Sequence, residues 1–370
     1  MNWLKTDIST IITYKSMIRT FCFLLLCIIS IHLSHGKIKY QSDLDSILNY
    51  YQNPVFNKPL ADPSVVYDEG TKKFYAFATA DSWADKKGVR LIPIVESSDL
   101  LKWKYVGTAF KNSDKPSWKE GGFWAPDIVK VGDKFHLYYS ISNWHDKDAS
   151  IGVAVSNSVA GPYKDFGKII SSIEIGVPNS IDPFYFEDKG QKYLFWGSFS
   201  SAKEQGTYGV PLTDDGLKIK DPKGKFKIAA GDWEAVVIHK RGDYYYMFGS
   251  KGTCCEGANS KYHVLVGRSK NIKGPYLDKN GNNIAERGNG TVVLQGNSEI
   301  VGSGHNSRIF SDKNGIDWIL YHGIEPKFPV LNNGVNRRVL CVDRVVWKNG
   351  WPMVNNGTPS TKNNLKPKFN

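Results

Sequence analysis

Hydrophobic and polar residues are ordered along this chain in one unit that returns five times. Each unit has a short acidic or histidine motif, an extended apolar run, a tight polar turn and an aromatic run. The first is Asp62-Pro63-Ser64-Val65-Val66-Tyr67, a turn at Asp68-Glu69-Gly70, and Phe74-Tyr75-Ala76-Phe77. The second is Ala125-Pro126-Asp127-Ile128-Val129, a turn at Gly132-Asp133, and Phe135 to Tyr139. The third is Ile181-Asp182-Pro183-Phe184-Tyr185-Phe186, a turn at Asp188-Lys189-Gly190, and Tyr193 to Trp196. The fourth runs from Glu234-Ala235-Val236-Val237 through Arg241-Gly242-Asp243 to Tyr244 to Phe248. The fifth runs from Gly304-His305-Asn306-Ser307 through Lys313-Asn314-Gly315 to Trp318 to Tyr321. β-Branched and aromatic runs joined by Asp, Asn and Gly predict antiparallel hairpins. Further strands are predicted from Val89 to Glu96, Ser150 to Val155 and Tyr262 to Ser269. An outer-strand signature, Ser followed by Gly-Pro-Tyr, occurs at Ser158 to Tyr163 and Ser269 to Tyr276. The spacing is roughly 60 residues per unit, which suits a four-stranded sheet with long loops, the blade of a β-propeller. The expected architecture is all-β: one five-bladed β-propeller within residues 37–370, its core at about 45–360, with the active site at the mouth of the central channel.

Composition agrees. With 13 % aromatic and 23 % charged residues among 370, the chain is too aromatic for disorder, and its 35 Gly and 17 Pro are too many for a helical bundle. Residues 1–36 read as a secretory signal peptide: Arg19, an apolar run from Phe21 to Leu33, then Ser34 and Gly36. The run is shorter than the roughly 20 residues a membrane span needs. Met17 is a second candidate start, and Leu26 before Cys27 argues against a lipidated anchor. The mature chain is therefore expected to be exported, periplasmic or secreted, with no membrane span. Cleavage lowers the net charge from +12 to about +10, and the Lys residues are scattered rather than clustered. That predicts a solvated basic surface and no nucleic-acid partner; attraction to an acidic cell-wall polymer is the alternative. Cys254, Cys255 and Cys341 remain, an odd number without a C-x-x-C spacing. Cys254 and Cys255 are expected to pack as thiols beside the site rather than to form a vicinal disulfide. Asn289-Gly290-Thr291 would accept a glycan in a eukaryotic secretory host.

In a propeller the first strand of each blade lines the channel, so Asp62, Asp127, Asp182, Glu234 and His305 are predicted to converge on one pocket. Carboxylates converging among aromatic rings meet the needs of glycosidic cleavage. One acid protonates the leaving oxygen, and one carboxylate activates water or attacks directly. Trp83, Trp103, Trp124, Trp144 and Trp233 are candidate faces for sugar rings. An Asp before Pro is often only a turn initiator, but its recurrence at 62 and 182 favours function. Asp127, after Ala-Pro, is expected to hold the channel together or to touch substrate indirectly rather than to catalyse. Glu234 stands between Trp233 and an apolar run, where desolvation would raise its pKa. His305 has no second His or Cys at ligand spacing, so the residues alone do not spell a zinc site.

Six motifs in order carry a resemblance: Asp-Pro-Ser-Val at 62, Phe-Trp-Ala-Pro-Asp at 123, Asn-Ser-Ile-Asp-Pro at 179, Glu-Ala-Val at 234, Gly-His-Asn-Ser at 304 and Gly-Trp-Pro at 350. Together they resemble glycoside hydrolase family 43, five-bladed propeller enzymes acting on arabinose- and xylose-containing polysaccharides. The run Cys254-Cys255-Glu256-Gly257-Ala258-Asn259-Ser260, followed by Val-Gly-Arg-Ser and Gly-Pro-Tyr, is most similar to the endo-1,5-α-L-arabinanases. The resemblance implies Asp62 as general base, Glu234 as general acid and Asp182 as the carboxylate that orients the acid and tunes its pKa. It implies inversion by direct attack of water, with base and acid roughly 6.5–9.5 Å apart. It further implies a hard cation, usually Ca2+, held in the central channel by His305 largely through water, and no organic cofactor. Trp124, Asn179, Ser198 and Cys254 match positions lining the family's cleft. The implied partner is an arabinose- or xylose-containing plant polysaccharide or its oligosaccharides. Exo-acting α-L-arabinofuranosidases and β-xylosidases share the triad, and loops closing one end of the cleft separate them from endo enzymes. Two departures stand out: Val-Val after Glu234-Ala235 where Pro is expected, and the segment Asn332 to Val342. The invertase-like propellers would need Asn-Asp-Pro-Asn, Arg-Asp-Pro and Glu-Cys, which are not at these positions. A non-catalytic sugar-binding propeller predicts a broken carboxylate set, and this one is intact.

Overall fold

Each aromatic run folds back on the apolar run before it, in the register its turn dictates. Val131 pairs with Lys134 across Gly132-Asp133, and Asp188 pairs with Gln191 across Lys189 and Gly190. Lys189 and Gly190 both have positive φ, 51° and 82°, the mirror-image turn that matches strand twist. The computed structural model describes residues 50–199, 202, 205–362 and 364–369; the expected leader and Cys27 lie outside them.

Four hairpins extend into four-stranded antiparallel sheets. Blade I is Ser64–Asp68, Lys73–Phe77, Pro93–Ser97 and Lys104–Thr108; blade II is Gly122–Val131, Lys134–Ser142, Ser150–Ser156 and Lys164–Ser171. Blade III is Phe184–Asp188, Gln191–Trp196, Gly206–Pro211 and Phe226–Ala230; blade IV is Glu234–Arg241, Tyr244–Lys251, His263–Ser269 and Thr291–Gln295. Blade V differs. Its innermost strand is split into Val301–Gly304 and Ile309–Ser311, both on Asp317–Ile324, which continues to Arg338–Lys348 and Trp351–Val354. The ring closes through the segment before blade I: Val55 and Leu60 donate their amides to the carbonyls of Leu340 and Arg338 in blade V. Tyr50–Tyr51 pairs with Asn364–Leu365 in a separate small unit. The predicted strand from Val89 is shorter, because Val89–Arg90 turns away to pair with Asp81–Ser82. The two Gly-Pro-Tyr signatures fold alike: the hydroxyls of Tyr163 and Tyr276 donate to the carbonyls of Val159 and Ile272.

One backbone feature recurs in every blade. Asp62, Ala125, Asp182, Ala235 and His305 all have left-handed φ, between 39° and 58°. Such a conformation costs a non-glycine residue about 1–3 kcal/mol and persists only where the surroundings enforce it. Here the preceding blade enforces it, by accepting the amide proton. Ala125 donates to Thr79 Oγ1 (2.9 Å), Asp182 to Ser140 Oγ (3.1 Å), His305 to Ser250 Oγ (2.9 Å) and Asp62 to His322 Nδ1 (3.1 Å). In blade IV the acceptor is Asp182 itself, whose Oδ2 takes the amide of Ala235 (3.1 Å).

This corrects the register of the repeat. Asp127 lies two residues beyond its blade's left-handed residue and Glu234 one residue before, so neither is equivalent to Asp62, Asp182 and His305. Asp127 sits deeper in the channel, where its carboxylate accepts from Ser64 Oγ (2.9 Å) and the Tyr185 amide (2.7 Å).

The clamp is testable at Ala125. Because a β-branched side chain is a severe outlier at positive φ, Ala125→Val should lose at least about 2 kcal/mol of unfolding free energy, whereas Ala125→Gly should stay within about 1 kcal/mol of wild type. Equal denaturant midpoints for the two variants would remove the left-handed ring from the account of stability.

Candidate active site

Asp62 is buried where blades I and V meet. Its Oδ1 accepts from Arg338 Nη1 at 2.6 Å and lies 3.2 Å from His305 Nδ1; its Oδ2 accepts from Thr79 Oγ1 at 2.6 Å. Burial alone would raise the pKa of this carboxyl, but Arg338 and the His305 contact outweigh it and hold Asp62 well below the usual carboxylate range. His322 takes the Asp62 amide on Nδ1, so its proton is on Nε2. Burial lowers its pKa to about 4, keeping the ring neutral. Tyr262 stacks on that ring at 5.5 Å, close against Gly304, where a Cβ would come within 2.2 Å of the tyrosine ring.

Among the described residues no arginine pairs with Asp182 or Glu234, and both respond in the opposite direction. Burial pushes Asp182 up, with the negative charges of Glu234 and Asp62 adding and His305 opposing. Burial also raises Glu234, opposed by the nearby Tyr262 hydroxyl and by the hydrogen bond from Ser198. Ser198 Oγ donates to Glu234 Oε2 at 2.7 Å. Ser198 stands two residues past its blade's second strand, as Thr79 does, so the same place in the repeat serves Asp62 in one blade and Glu234 in another. His305 is raised, because Asp62 and the other carboxylates outweigh its burial. The site thus holds one carboxylate ionised and two towards protonation within a single buried cluster.

The predicted aromatic faces divide. Trp233 is 0 % exposed and Trp83 6 %, so both belong to the core. Trp103 is half-buried, and its Nε1 donates to Leu100 O. Trp144 is 74 % exposed and its ring lies 5.6 Å from half-buried Trp124, a paired aromatic surface at the mouth of blade II. Asn179 does not point a free amide at the cleft, since its Nδ2 donates to Phe199 O (3.0 Å) and holds the loop that carries Ser198. Cys254 and Cys255 form a vicinal disulfide, correcting the expectation of two thiols; Cys341 is the free, buried cysteine among the described residues. Their loop leaves blade IV beside Glu234, because Glu234 pairs with Ser250. Asn336 bridges to it, donating to Cys255 O (3.1 Å) and accepting from the Gly257 amide (2.9 Å). Sequence reasoning missed Arg338, Thr79, His322 and Tyr262. They lie in second or third strands, just before a third strand or just beyond a second, outside the repeated motif, and only the Thr79 spacing, shared with Ser198, carries a signal.

A channel at the axis is lined in part by Ser64, Asp127, Asp182, His305, Asn306 and Arg308. A hard divalent cation takes six to eight oxygen ligands, preferably anionic. Asp127 is committed to Ser64, Tyr185 and Arg308, and Asp182 is pushed towards its neutral acid. What remains is the His305 imidazole and the buried, unpartnered Oδ1 of Asn306. This wall does not fit a hard divalent cation.

A propeller whose channel mouth holds a base-like and an acid-like carboxylate together has the machinery of a glycoside hydrolase. Residues 51–352 match the family model described as glycosyl hydrolases family 43, and the chain belongs to that family; it is a glycoside hydrolase. It is 34 % identical over 292 residues to the extracellular exo-α-(1→5)-L-arabinofuranosidase of Cellvibrio japonicus, covering 71 % of this chain and 80 % of that protein. It is 33 % identical over 310 residues to the extracellular endo-α-(1→5)-L-arabinanase 1 of Bacillus subtilis, covering 80 % and 88 %. Among solved structures, the Cellvibrio cellulosa α-L-arabinanase complexed with arabinohexaose superposes with a TM-score of 0.68 at 31 % identity, covering 80 % of this chain and 95 % of that one.

Two pH effects follow. Glu234 keeps its proton to higher pH when folded than its ordinary 4.5, so its contribution to stability is present below that value and is lost as pH rises through the folded one. Glu234→Gln cannot ionise, so its melting temperature should gain on wild type more at about pH 8 than at about pH 4. For turnover, Arg338→Met should raise the Asp62 pKa and move the acidic limb of kcat/KM up by about 1–3 pH units, leaving the basic limb in place. An unmoved acidic limb in a folded variant would contradict Arg338 as the partner that keeps Asp62 ionised.

Proposed function

We propose that the protein is an exported, inverting endo-hydrolase of α-1,5-linked L-arabinofuranosyl bonds in arabinan. The opposite protonation of two buried carboxylates at one mouth carries this reading. Asp62, held ionised by Arg338 and His305, takes a proton from water as the water attacks the anomeric carbon. Glu234, held protonated by burial, gives its proton to the leaving oxygen as that bond breaks. Asp182 stands next to Glu234 and holds the Ala235 amide, while the charge that adds to burial in favouring the protonated acid is that of Asp62. One displacement with no glycosyl-enzyme inverts the anomeric centre. The paired Trp124 and Trp144 rings offer furanose rings an apolar surface at the mouth.

The names of the relatives supply the substrate class, since both the Cellvibrio and the Bacillus proteins are named for α-(1→5)-L-arabinosyl linkages. Both are also named extracellular, in keeping with the apolar run from Phe21 to Leu33. The exo-acting alternative keeps support from the Cellvibrio relative.

Product sizes from debranched linear α-1,5-arabinan, followed early in the reaction, decide the mode of action. A ladder of oligosaccharides with a rapid fall in viscosity is expected, and arabinose alone from the first minutes would establish exo action. The first-formed product should be the β-anomer by proton NMR. Asp62→Ala and Glu234→Ala should each lose about 100-fold or more of kcat while remaining folded. A fully active variant of either would overturn the assignment.

A further inference from the structure

The split innermost strand of blade V releases residues 305–308 into the channel, and Arg308 uses that freedom to cross it. Blade V neighbours blades IV and I, yet the Arg308 guanidinium binds blades II and III on the far side. Nη1 and Nη2 form a two-pronged pair with both carboxylate oxygens of Asp127, the Nη2 bond being 2.8 Å. Nη2 also donates to Tyr185 O (2.9 Å) and Nη1 to Ile128 O (3.3 Å). Its Cζ lies 4.3 Å above the ring of Phe184. Asp127 in turn accepts from Ser64 of blade I. One side chain of blade V therefore joins blades II and III directly and blade I through Asp127.

We infer that Arg308 is the resident cation of this channel, a tethered guanidinium in place of the hard metal ion that the family resemblance implies. The charges around the axis support the inference. Asp127 is neutralised by Arg308, Asp62 by Arg338 and His305, while Asp182 and Glu234 lean towards their neutral forms. Asp127, a carboxylate lining the channel, is thereby taken up by an arginine and is not free to draw a divalent ion out of water. A divalent ion would also meet a fixed positive charge in the same small channel, where screening is weak. The guanidinium supplies what a central cation would: positive charge below the carboxylates and a bond to several blades at once. Arg308 is thus a positioning residue, acting through Asp127 and the blades it joins.

The test uses the purified chain, dialysed against EDTA, with readouts that do not depend on the substrate. Elemental analysis of the undialysed protein should find well under one metal ion per chain, and Ca2+ at millimolar concentration should leave the melting temperature of wild type unchanged within about 1 °C. Arg308→Met strips the charge and exposes the Asp127 carboxylate, so it should melt lower and recover several degrees, roughly, on addition of Ca2+. Arg308→Lys keeps a cation in place and should stay unresponsive to Ca2+. Stoichiometric metal in wild type, with a fall in melting temperature on chelation, would overturn the inference. So would a folded Arg308→Met variant indifferent to Ca2+, Mg2+ and Mn2+, because a packing role alone creates no response to cations. Should Arg308→Met fail to fold, the wild-type metal content and chelator response decide the question alone.

Discussion

Five left-handed residues, one at the channel end of each blade, are the constraint on which the rest depends. None is glycine, so each needs a neighbour to hold it, and each neighbour is the blade before. The ring of clamps closes on itself when His322 of blade V accepts the amide of Asp62 in blade I. Three of the five clamped residues, Asp62, Asp182 and His305, also belong to the buried titratable cluster. The geometry of that cluster and propeller closure are therefore set by the same bonds. Blade III shows the exchange most clearly: Asp182 takes over the clamp on blade IV, and Ser198 is free to hold Glu234.

Charge at the axis is partitioned by two arginines. Arg338, from the third strand of blade V, pairs with Asp62, and Arg308, from its split inner strand, pairs with Asp127. Asp182 and Glu234 receive neither. In a buried cluster an unpaired carboxyl escapes the cost of desolvation by keeping its proton, whereas a paired one stays charged. The difference between the ionised and the protonated carboxyls of this cluster thus comes from which of them an arginine reaches, since Asp62, Asp182 and Glu234 are all buried.

Blade-to-blade regularity ends at the rim. Trp124 and Trp144 project from blade II, and the disulfide loop of blade IV is tied through Asn336 to the segment 325–337 of blade V. That segment exposes Phe328 and Val330. It overlaps the stretch from Asn332 to Val342.

The alternation of apolar and aromatic runs was enough to specify five hairpins, their turns and the convergence of the acidic motifs, because strand pairing and turn chemistry are local. The same pattern misaligned Asp127 and Glu234 by two residues and one residue. The clamp that defines the register is a backbone conformation held from another blade, and no local spacing encodes it. Trp233 read as a sugar platform and is core, because burial depends on what a neighbouring blade places over the ring. Arg338 lies 276 residues from Asp62, and Arg308 lies 181 from Asp127. Sequence could nominate the carboxylates, since their motifs repeat. Only closure of the ring, by bringing blade V against blade I and Arg308 across the axis, decided which of them are charged.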